Sequence, residues 1–327
     1  MSDLAPPRLN PAQQRITETI GATPAERPSF PDNLGEVLRA RLTETLDPLL
    51  DKIDDDVFVS KRALALLHAC EQRYVADQDE EFTWTIAVAR GVVAHKAIEL
   101  LVTWRGQPTP LELVARAMDR LEADDRGVGP YLQQLDAAQR AELAGFANDQ
   151  VATFCETFPP LRRHWVPVAE SRVRAELCDD RLALLGKVDL TLGRADGNVA
   201  GKVLIDLKTG RPSPTHGDDL RFYALLETLK VGVPPRLLVS YYLDSGEPRT
   251  EAVTIDLLEA ASRRVVDAVA KLVDITGPGA RIPGRTSGPG CRWCPALTNC
   301  DDGRRALARL DDPDHDGCPD LGQGAGR

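Results

Sequence analysis

Long apolar runs are missing from this sequence. None approaches the roughly 20 residues that a membrane-spanning helix needs. The polar, proline-rich start also lacks the apolar stretch of a signal peptide. We therefore expect a cytoplasmic protein that makes no membrane contact. The Gly-x-x-x-x-Gly-Lys-Ser/Thr loop that cradles nucleotide phosphates is missing too, which excludes ATP binding of the P-loop kind.

Basic residues are also fewer than acidic residues in this chain. The chain has 40 Lys and Arg against 50 Asp and Glu, a formal net charge of −10. This balance argues against a protein that coats nucleic acid by charge alone. It does not exclude an enzyme with a locally basic groove, because metal-binding acids add to the negative count. The 327 residues, 43% of them apolar, are enough for one large domain or two modest ones with a sizeable core.

Cysteine occurs seven times, an odd number. In a reducing compartment a disulfide framework is not expected. Clustered cysteines in such a protein more often bind metal, so the cysteine cluster at 291–300 is a candidate metal site.

The chain changes character along its length. Residues 1–35, rich in proline, predict an extended arm with one short helix. Residues 36–158 have the apolar spacing of helices, whereas short Val/Leu/Ile-rich segments from residue 165 onward predict strands. We expect an α/β fold: a helical subdomain, then a small mixed sheet flanked by helices over 165–275, closed by the cysteine cluster. Predicted helices cover 36–50, 61–76, 86–104, 111–123, 136–158, 216–230, 256–274 and 301–310; predicted strands cover 165–176, 181–192, 202–208, 236–243 and 249–255; the acidic tail, 311–327, is predicted to be disordered.

Two of the predicted strands each carry one acid. Asp189 ends the sequence Gly-Lys-Val-Asp, and Asp206 is followed two residues later by Lys208. Residues i and i+2 of a strand point to one face, so Asp206 and Lys208 project together and Asp189 can approach from the neighbouring strand. Adjacent carboxylates repel each other unless a cation lies between them, and their hard oxygens suit Mg²⁺ or Mn²⁺. Taken alone, Asp-x-Lys is more often a surface ion pair.

The flanking sequence favours the catalytic interpretation. Gly-Lys-Val-Asp and Ile-Asp-Leu-Lys-Thr-Gly resemble motifs II and III of the RecB-like branch of the PD-(D/E)XK nucleases, and residues 91–99 match its upstream Gly-x-x-x-His-x-x-x-Glu helix. A lone helical histidine is otherwise more often a core residue. The resemblance implies a core of that nuclease fold, Mg²⁺ or Mn²⁺ as cofactor, and a lysine that positions the attacking water. The implied metal ligands are His95, Asp189, Asp206 and the Leu207 carbonyl, and the implied lysine is Lys208.

The same resemblance extends to the helix that follows motif III, with one departure. Tyr223 matches the tyrosine of a Gln-x-x-x-Tyr motif, which implies a catalytic role for it, but Asp219 stands where the family has glutamine. An acid at that position would repel phosphate or add a metal ligand, so activity is expected to be weakened or shifted. Glu170, on the strand before motif II, fits equally well as a further ligand or as an exposed strand residue.

The cysteines form a second pattern. Cys291, Cys294 and Cys300 have C-x2-C-x5-C spacing, and Cys70 lies in a Ser-x-x-x-Leu-x-x-x-x-x-Cys-x-x-x-Tyr segment. Together they resemble the iron–sulfur RecB-like nucleases, such as the AddB nuclease domain and the CRISPR-adaptation exonucleases, over about residues 57–305. The resemblance implies a structural 4Fe–4S cluster on these four cysteines. Spacing alone leaves a tetrahedral zinc site open.

We therefore expect a metal-dependent DNA nuclease, in one domain over 36–310, acting on single-stranded DNA or DNA ends in repair or recombination. A helicase or another repair protein is an expected partner. The alternatives are a catalytically weak iron–sulfur DNA-binding or scaffold subunit, which Asp219 favours, and a zinc-binding interaction protein. Candidate phosphate contacts are arginines: Arg162, Arg163, Arg172, Arg174, Arg263, Arg264, Arg304 and Arg305.

Overall fold

The structure, a computed structural model, describes residues 8–213 and 215–311. The chain divides into two units. The first unit is formed within Met1–Lys61 and Thr83–Val266, and the second within Arg62–Phe82 and Asp267–Arg327, each over its described residues. The predicted tail, 311–327, lies outside the described residues except for Asp311. No helix in the described part of the chain is long and apolar enough to cross a membrane.

The helices begin at residues suited to that position. In the first helix Pro11 follows Asn10, whose side chain accepts from the Gln13 N–H, while the Gln13 side chain accepts from the Asn10 N–H. Thr109 and Asp136 start later helices in the same reciprocal way. The helices are α1 Pro11–Ile20, α2 Leu34–Leu50, α3 Lys61–Ala69, α4 Glu71–Gln78, α5 Ile86–Thr103, α6 Pro110–Glu122, α7 Gly129–Gln134, α8 Ala137–Thr157, α9 His216–Val231, α10 Ile255–Thr276 and α11 Asp301–Leu310.

A six-stranded mixed sheet lies in the first unit, which confirms the predicted α/β class. The strands are β1 Val57–Ser60, β2 Val168–Leu177, β3 Leu182–Leu192, β4 Val203–Lys208, β5 Leu237–Tyr242 and β6 Glu247–Ala252. Along one edge, β3 pairs antiparallel with β2. Beyond β3 the sheet continues through a parallel pair, β4 with β5, and an antiparallel pair, β5 with β6.

The other edge of β3 is shared between two strands. β1 runs parallel to its first part and ends at the Ser60–Leu185 pair, whereas β4 runs antiparallel to its last part and begins pairing at Leu190. Residues 186–189 lie between these two ladders. The gap therefore falls on Gly-Lys-Val-Asp, and it brings the residues that follow β1 and end β4 to the same stretch of β3.

Helices cover both faces of the sheet. Ile205, Leu207 and Tyr241 join the core formed with α5, α6 and α8, where Phe154 stacks on Phe158 at 4.7 Å and both rings meet Tyr241 edge-on. Alternation along β4 directs Asp206 and Lys208 to the opposite face, where α9 packs. The buried aliphatic and aromatic side chains on both faces supply most of the driving force for folding.

Three elements differ from the sequence predictions. β1 was not expected, because four residues are too few to show the alternation of a strand. The helix predicted over 61–76 is interrupted at Cys70, whose extended backbone (φ −169°, ψ 117°) separates α3 from α4. α7, Gly129–Gln134, lies in the segment between the predicted helices 111–123 and 136–158, where no helix was predicted.

Candidate active site

The gap in the sheet positions Asp189. Its Oδ2 accepts a hydrogen bond of 2.7 Å from the Leu207 N–H of β4. Its Oδ1 lies 3.3 Å from Nδ1 of His95, which projects from α5. Between the two ladders, the Asp189 side chain therefore makes the hydrogen bond that a neighbouring strand would otherwise make. It also contacts both β4 and α5 at this position on β3.

In a regular strand, residues four apart point to the same face of the sheet. In β3, however, Gly186 faces Tyr223 of α9, whereas Leu190 packs in the core on the α5 side. The alternation of side chains along β3 is therefore interrupted between these two residues. Between them Asp189 lies opposite Glu170 of β2, and the Glu170 backbone is left-handed, with φ 53°. Such a conformation costs a non-glycine residue about 1 kcal/mol or more and is concentrated at functional sites.

One group of side chains here could hold a metal ion. Within residues 8–213 and 215–311, only His95, Glu170 and Asp189 form a set of three whose ligand atoms all lie within 4.8 Å of one another. One imidazole nitrogen and two carboxylates make a donor set that suits a divalent cation. Lys187 forms an ion pair with Glu170 at the edge of this group.

A second group, of alternating charge, lies between β4 and α9. The Lys208 ammonium is 2.6 Å from Asp206 Oδ2 and 2.8 Å from Asp219 Oδ2. The Lys61 ammonium lies 3.5 Å from Asp206 Oδ1 and 3.4 Å from that same Asp219 oxygen. Asp206 is nearly inaccessible, with 3% of its side chain exposed. The carboxylate and lysine expected from motif III are therefore together, with a second lysine beside them.

Burial and neighbouring charge compete at each titratable group. Burial lowers the pKa of His95, but the Asp189 carboxylate outweighs it, and the net pKa is raised. Burial raises the pKa of Asp189, and His95 together with the Leu207 N–H reverses this. For Asp206, burial and the charge of Asp189 raise the pKa despite the two lysines. The Asp206 carboxyl is therefore less readily ionised than that of Asp189, as expected for a charge kept from water.

Both lysines stay charged. Burial lowers the pKa of Lys208, and the nearby Asp206 carboxylate more than offsets it, so the net pKa lies above its ordinary value. The pKa of Lys61 is raised in the same way, against burial, first by Asp206 and then by Tyr223 and Asp219. Burial also raises the pKa of Tyr223 to about 12, which keeps its hydroxyl protonated.

Two motif glycines allow close approach. A Cβ on Gly186 would lie 2.8 Å from Cδ1 of Tyr223, closer than side chains come, so glycine lets α9 lie on β3. A Cβ on Gly91, in α5, would be 3.1 Å from Oγ1 of Thr209, the residue after Lys208. Both glycines therefore hold helices close to the strands that carry the acids.

The predicted catalytic residues and ligands of the divalent metal all lie in the first unit, but not in one cluster. His95 and Asp189 meet, Asp206 and Lys208 meet, and Tyr223 lies beside the second pair. Glu170 completes the first group, and Lys61 joins the second group. Sequence reasoning did not identify Lys61, because a lysine at the start of an ordinary helix carries no motif; only the position of β1 next to motif II signals it.

A groove of about 630 Å³ leads to the first group. It is lined by His95 and Glu170, by Lys187 and Arg172 from β3 and β2, and by residues of α5. Of the arginines proposed for phosphate, Arg172 is the one on this surface. Others form ion pairs elsewhere: Arg174 with Glu176, Arg264 with Asp218, Arg304 with Asp301, and Arg305 with Asp302.

The four predicted cluster cysteines lie in the second unit around a single cavity of about 210 Å³. Cys70 comes from the junction of α3 and α4; Cys291, Cys294 and Cys300 come from the loop before α11. Three of the sulfurs accept hydrogen bonds from backbone N–H groups. Cys70 accepts from Thr286 at 3.5 Å, and Cys291 and Cys300 accept from Gly288 and Gly303, each at 3.4 Å.

Glu71 fixes this loop to α4. Its carboxylate accepts two bonds from the Arg281 guanidinium, at 2.6 and 2.8 Å, and a third of 2.7 Å from the Gly284 N–H. The hydrogen bonds from the Arg281 guanidinium, and to a smaller extent the bond from the Gly284 N–H, lower the pKa of Glu71 to about 2 despite its burial. Because Glu71 adjoins Cys70, these bonds hold that cysteine beside the loop that supplies the other three.

A comparison with known protein families identifies the superfamily of this chain. A family model described as the PD-(D/E)XK nuclease superfamily matches residues 59–301. The match covers most of the chain, and the chain belongs to this superfamily, which makes metal-dependent nuclease activity its class of function. No curated protein gives a significant sequence match. A solved structure described as "Crystal structure of SSO0001" aligns over 81% of this chain and 95% of that one, at 13% identity and a TM-score of 0.35.

The contact between Gly186 and Tyr223 generates a stability prediction. We expect Gly186→Ala to destabilise the protein by about 1–3 kcal/mol, because the new methyl group collides with a buried ring. Gly145→Ala is the matched control: it lies in the interior of α8 with open space around its Cα, and should stabilise by up to about 1 kcal/mol. Urea unfolding measures both; equal effects of the two substitutions would contradict the proposed packing.

Proposed function

We propose that this protein is a RecB-like, metal-dependent deoxyribonuclease that hydrolyses phosphodiester bonds of DNA. The observation that carries the proposal is the pairing of a His–Glu–Asp group with a buried Asp206–Lys208 pair across one gap in the sheet. Superfamily membership supports the class of reaction. The motifs of the RecB-like branch, which fall on these same residues, support the finer assignment.

The donor set fits a divalent cation. His95, Glu170 and Asp189 would hold Mg²⁺ or Mn²⁺, and Asp206 with the Leu207 carbonyl is the addition that the motifs imply. Asp206 Oδ2 is buried and has no hydrogen bond of good geometry despite its short distance to Lys208, so this oxygen keeps capacity for a cation. When bound, the metal polarises the phosphate and lowers the pKa of water.

The lysine and tyrosine have separate roles in this proposal. Lys208, which remains protonated, positions the attacking water and stabilises negative charge that develops on the phosphate. Tyr223 contacts Lys61 from the α9 side, with the Lys61 ammonium 5.5 Å from the centre of its ring, and helps to keep that lysine beside Asp206. Asp219 accepts a hydrogen bond from Lys208 of 2.8 Å, which the family's glutamine oxygen would also do. The acid at this position therefore preserves a contact that holds the catalytic lysine.

The substrate is proposed to be DNA, single-stranded or at an end. The groove beside His95 has Arg172 and Lys187 on its β-sheet wall, which places positive charge along a path to the metal group. A role in repair or recombination, a helicase as partner and a cytoplasmic location remain predictions from the sequence.

We also assign a 4Fe–4S cluster to Cys70, Cys291, Cys294 and Cys300. The shared cavity and the N–H bonds to sulfur support a thiolate-bound group. The choice of an iron–sulfur cluster over a tetrahedral zinc ion rests on the resemblance of the cysteine pattern to that of the iron–sulfur RecB-like nucleases.

The function predicts metal-dependent cleavage that requires Lys208. Wild-type protein should degrade end-labelled single-stranded DNA with Mg²⁺ or Mn²⁺, and Lys208→Ala should slow this about 10²–10⁴-fold. Mn²⁺ affinity should be unaffected, because the lysine is not a ligand. Lys52→Ala, at an exposed lysine that belongs to neither group of the site, is the control and should cleave normally.

Two outcomes of this assay would count against the proposal. Cleavage by Lys208→Ala at the wild-type rate would contradict the assigned chemistry. A wild-type protein that binds DNA but leaves it intact would favour the alternative of a scaffold subunit.

The cluster assignment predicts colour and iron. Protein purified without oxygen should be brown and contain about four irons per chain. Cys294→Ala should lose both, because it removes a ligand, whereas Cys155→Ala, on α8 outside the cavity, should retain them. Metal analysis that finds stoichiometric zinc and no iron in the wild-type protein would refute the cluster and leave a zinc site in its place.

A further inference from the structure

Lys61 and Lys208 share the same two carboxylates. Asp206 and Asp219 each lie within 3.5 Å of both ammonium groups, so charges alternate around a ring of four side chains. A single lysine would suffice to position one water molecule. The presence of a second cation at the same site therefore needs its own explanation.

The two lysines differ in their access to solvent. Lys208 has 14% of its side chain exposed, and its ammonium lies 2.6 Å from an oxygen of Asp206 and 2.8 Å from an oxygen of Asp219. Lys61 has 34% exposed, and its distances of 3.4 and 3.5 Å are longer. Since an ammonium carries three donors, Lys61 can accept another anion on its open side without leaving Asp206 or Asp219.

The backbone fixes Lys61 at this place. It follows Ser60, whose pairing with Leu185 is the last of the β1 ladder, so it emerges where the gap in the sheet begins. Its ammonium lies 5.5 Å from the centre of the Tyr223 ring, within range of a cation–π contact. That ring is itself seated on Gly186. Strand, ring and carboxylates thus direct the charge toward the gap.

Charge balance explains why the second lysine is accompanied by Asp219. Without Asp219, two adjacent ammonium groups would share the single buried carboxylate of Asp206, and their repulsion would drive the more exposed Lys61 away. With Asp219 the ring is neutral and Lys61 stays in place. Hydrolysis of a phosphodiester increases the negative charge on the phosphate oxygens as the bond to water forms, so a second cation beside Lys208 is of use during the reaction.

We propose that Lys61 is a second catalytic lysine, which contacts a non-bridging oxygen of the scissile phosphate. The proposal rests on the proposed nuclease function. In the reaction the water oxygen bonds to phosphorus and gives up one proton to solvent, the bond from phosphorus to one nucleoside oxygen breaks, and the leaving oxygen takes up one proton from solvent. Lys61 donates a hydrogen bond to the phosphate throughout and is itself unchanged at the end.

The test compares Lys61→Gln and Lys61→Arg with Lys52→Gln as the exposed-lysine control. Cleavage of end-labelled single-stranded DNA is measured with enzyme in excess, with saturating Mn²⁺ and over a range of salt. We expect Lys61→Gln to lower the saturated rate by about tenfold or more, with Mn²⁺ affinity unchanged. Lys61→Arg should retain more of the rate, and Lys52→Gln all of it.

A double variant separates catalysis from structure. In Lys61→Gln the charge of Asp219 is less well balanced, so that variant should lose thermal stability, and adding Asp219→Asn should restore it. The proposal requires that stability returns while the cleavage rate does not rise above that of Lys61→Gln. Recovery of both would make Lys61 a purely structural residue and overturn the proposal.

Three other results would also overturn it. An unchanged saturated rate in Lys61→Gln would show that Lys61 does not touch the reacting phosphate. A defect confined to the enzyme concentration needed for half the maximal rate, with a reduced salt dependence, would place Lys61 on a flanking phosphate instead. A wild-type protein that cleaves no DNA would refute the proposed function as well, and so differs from failure of the lysine variants alone.

Discussion

The arrangement of the site depends on carboxylates held in a gap between two strand ladders. Between the end of the β1–β3 pairing and the start of the β3–β4 pairing, β3 has no strand partner on one side. There the Asp189 side chain accepts a hydrogen bond from the Leu207 N–H instead. Burying such charges costs free energy unless cations or hydrogen bonds compensate. His95 compensates for Asp189, and the lysine pair compensates for Asp206, so each acid dictates the residues around it.

The same constraint explains the local backbone. Strand β3 must present Gly186 to α9 and Leu190 to the α5 core, and the reversal falls between them, opposite the left-handed Glu170. Glycine at 186 admits the tyrosine ring, and glycine at 91 admits Thr209. The left-handed Glu170 and the two glycines thus lie next to the acids of the site. Such departures from regular strand geometry are expected at functional sites.

Much of this could be predicted from the sequence. The fold class followed from helical periodicity and short β-branched segments, and the Asp206–Lys208 pair followed from i, i+2 geometry on one strand. Other features depend on tertiary contacts. Strand β1 is too short to show a pattern, Cys70 interrupts a helix whose apolar spacing continues, and Lys61 enters the site only because β1 places it there. Glu170 was undecided because its role depends on a backbone angle that no sequence motif encodes.

The claim that these acids form a metal site is tested most directly by Mn²⁺ binding, followed by electron paramagnetic resonance. Wild-type protein should bind Mn²⁺ at one site that Glu170→Gln and Asp189→Asn each weaken by about tenfold or more. Glu99→Gln, in the same groove but outside the group, should leave the affinity unchanged. Equal Mn²⁺ affinity in all four proteins, or no binding to the wild type, would contradict the account.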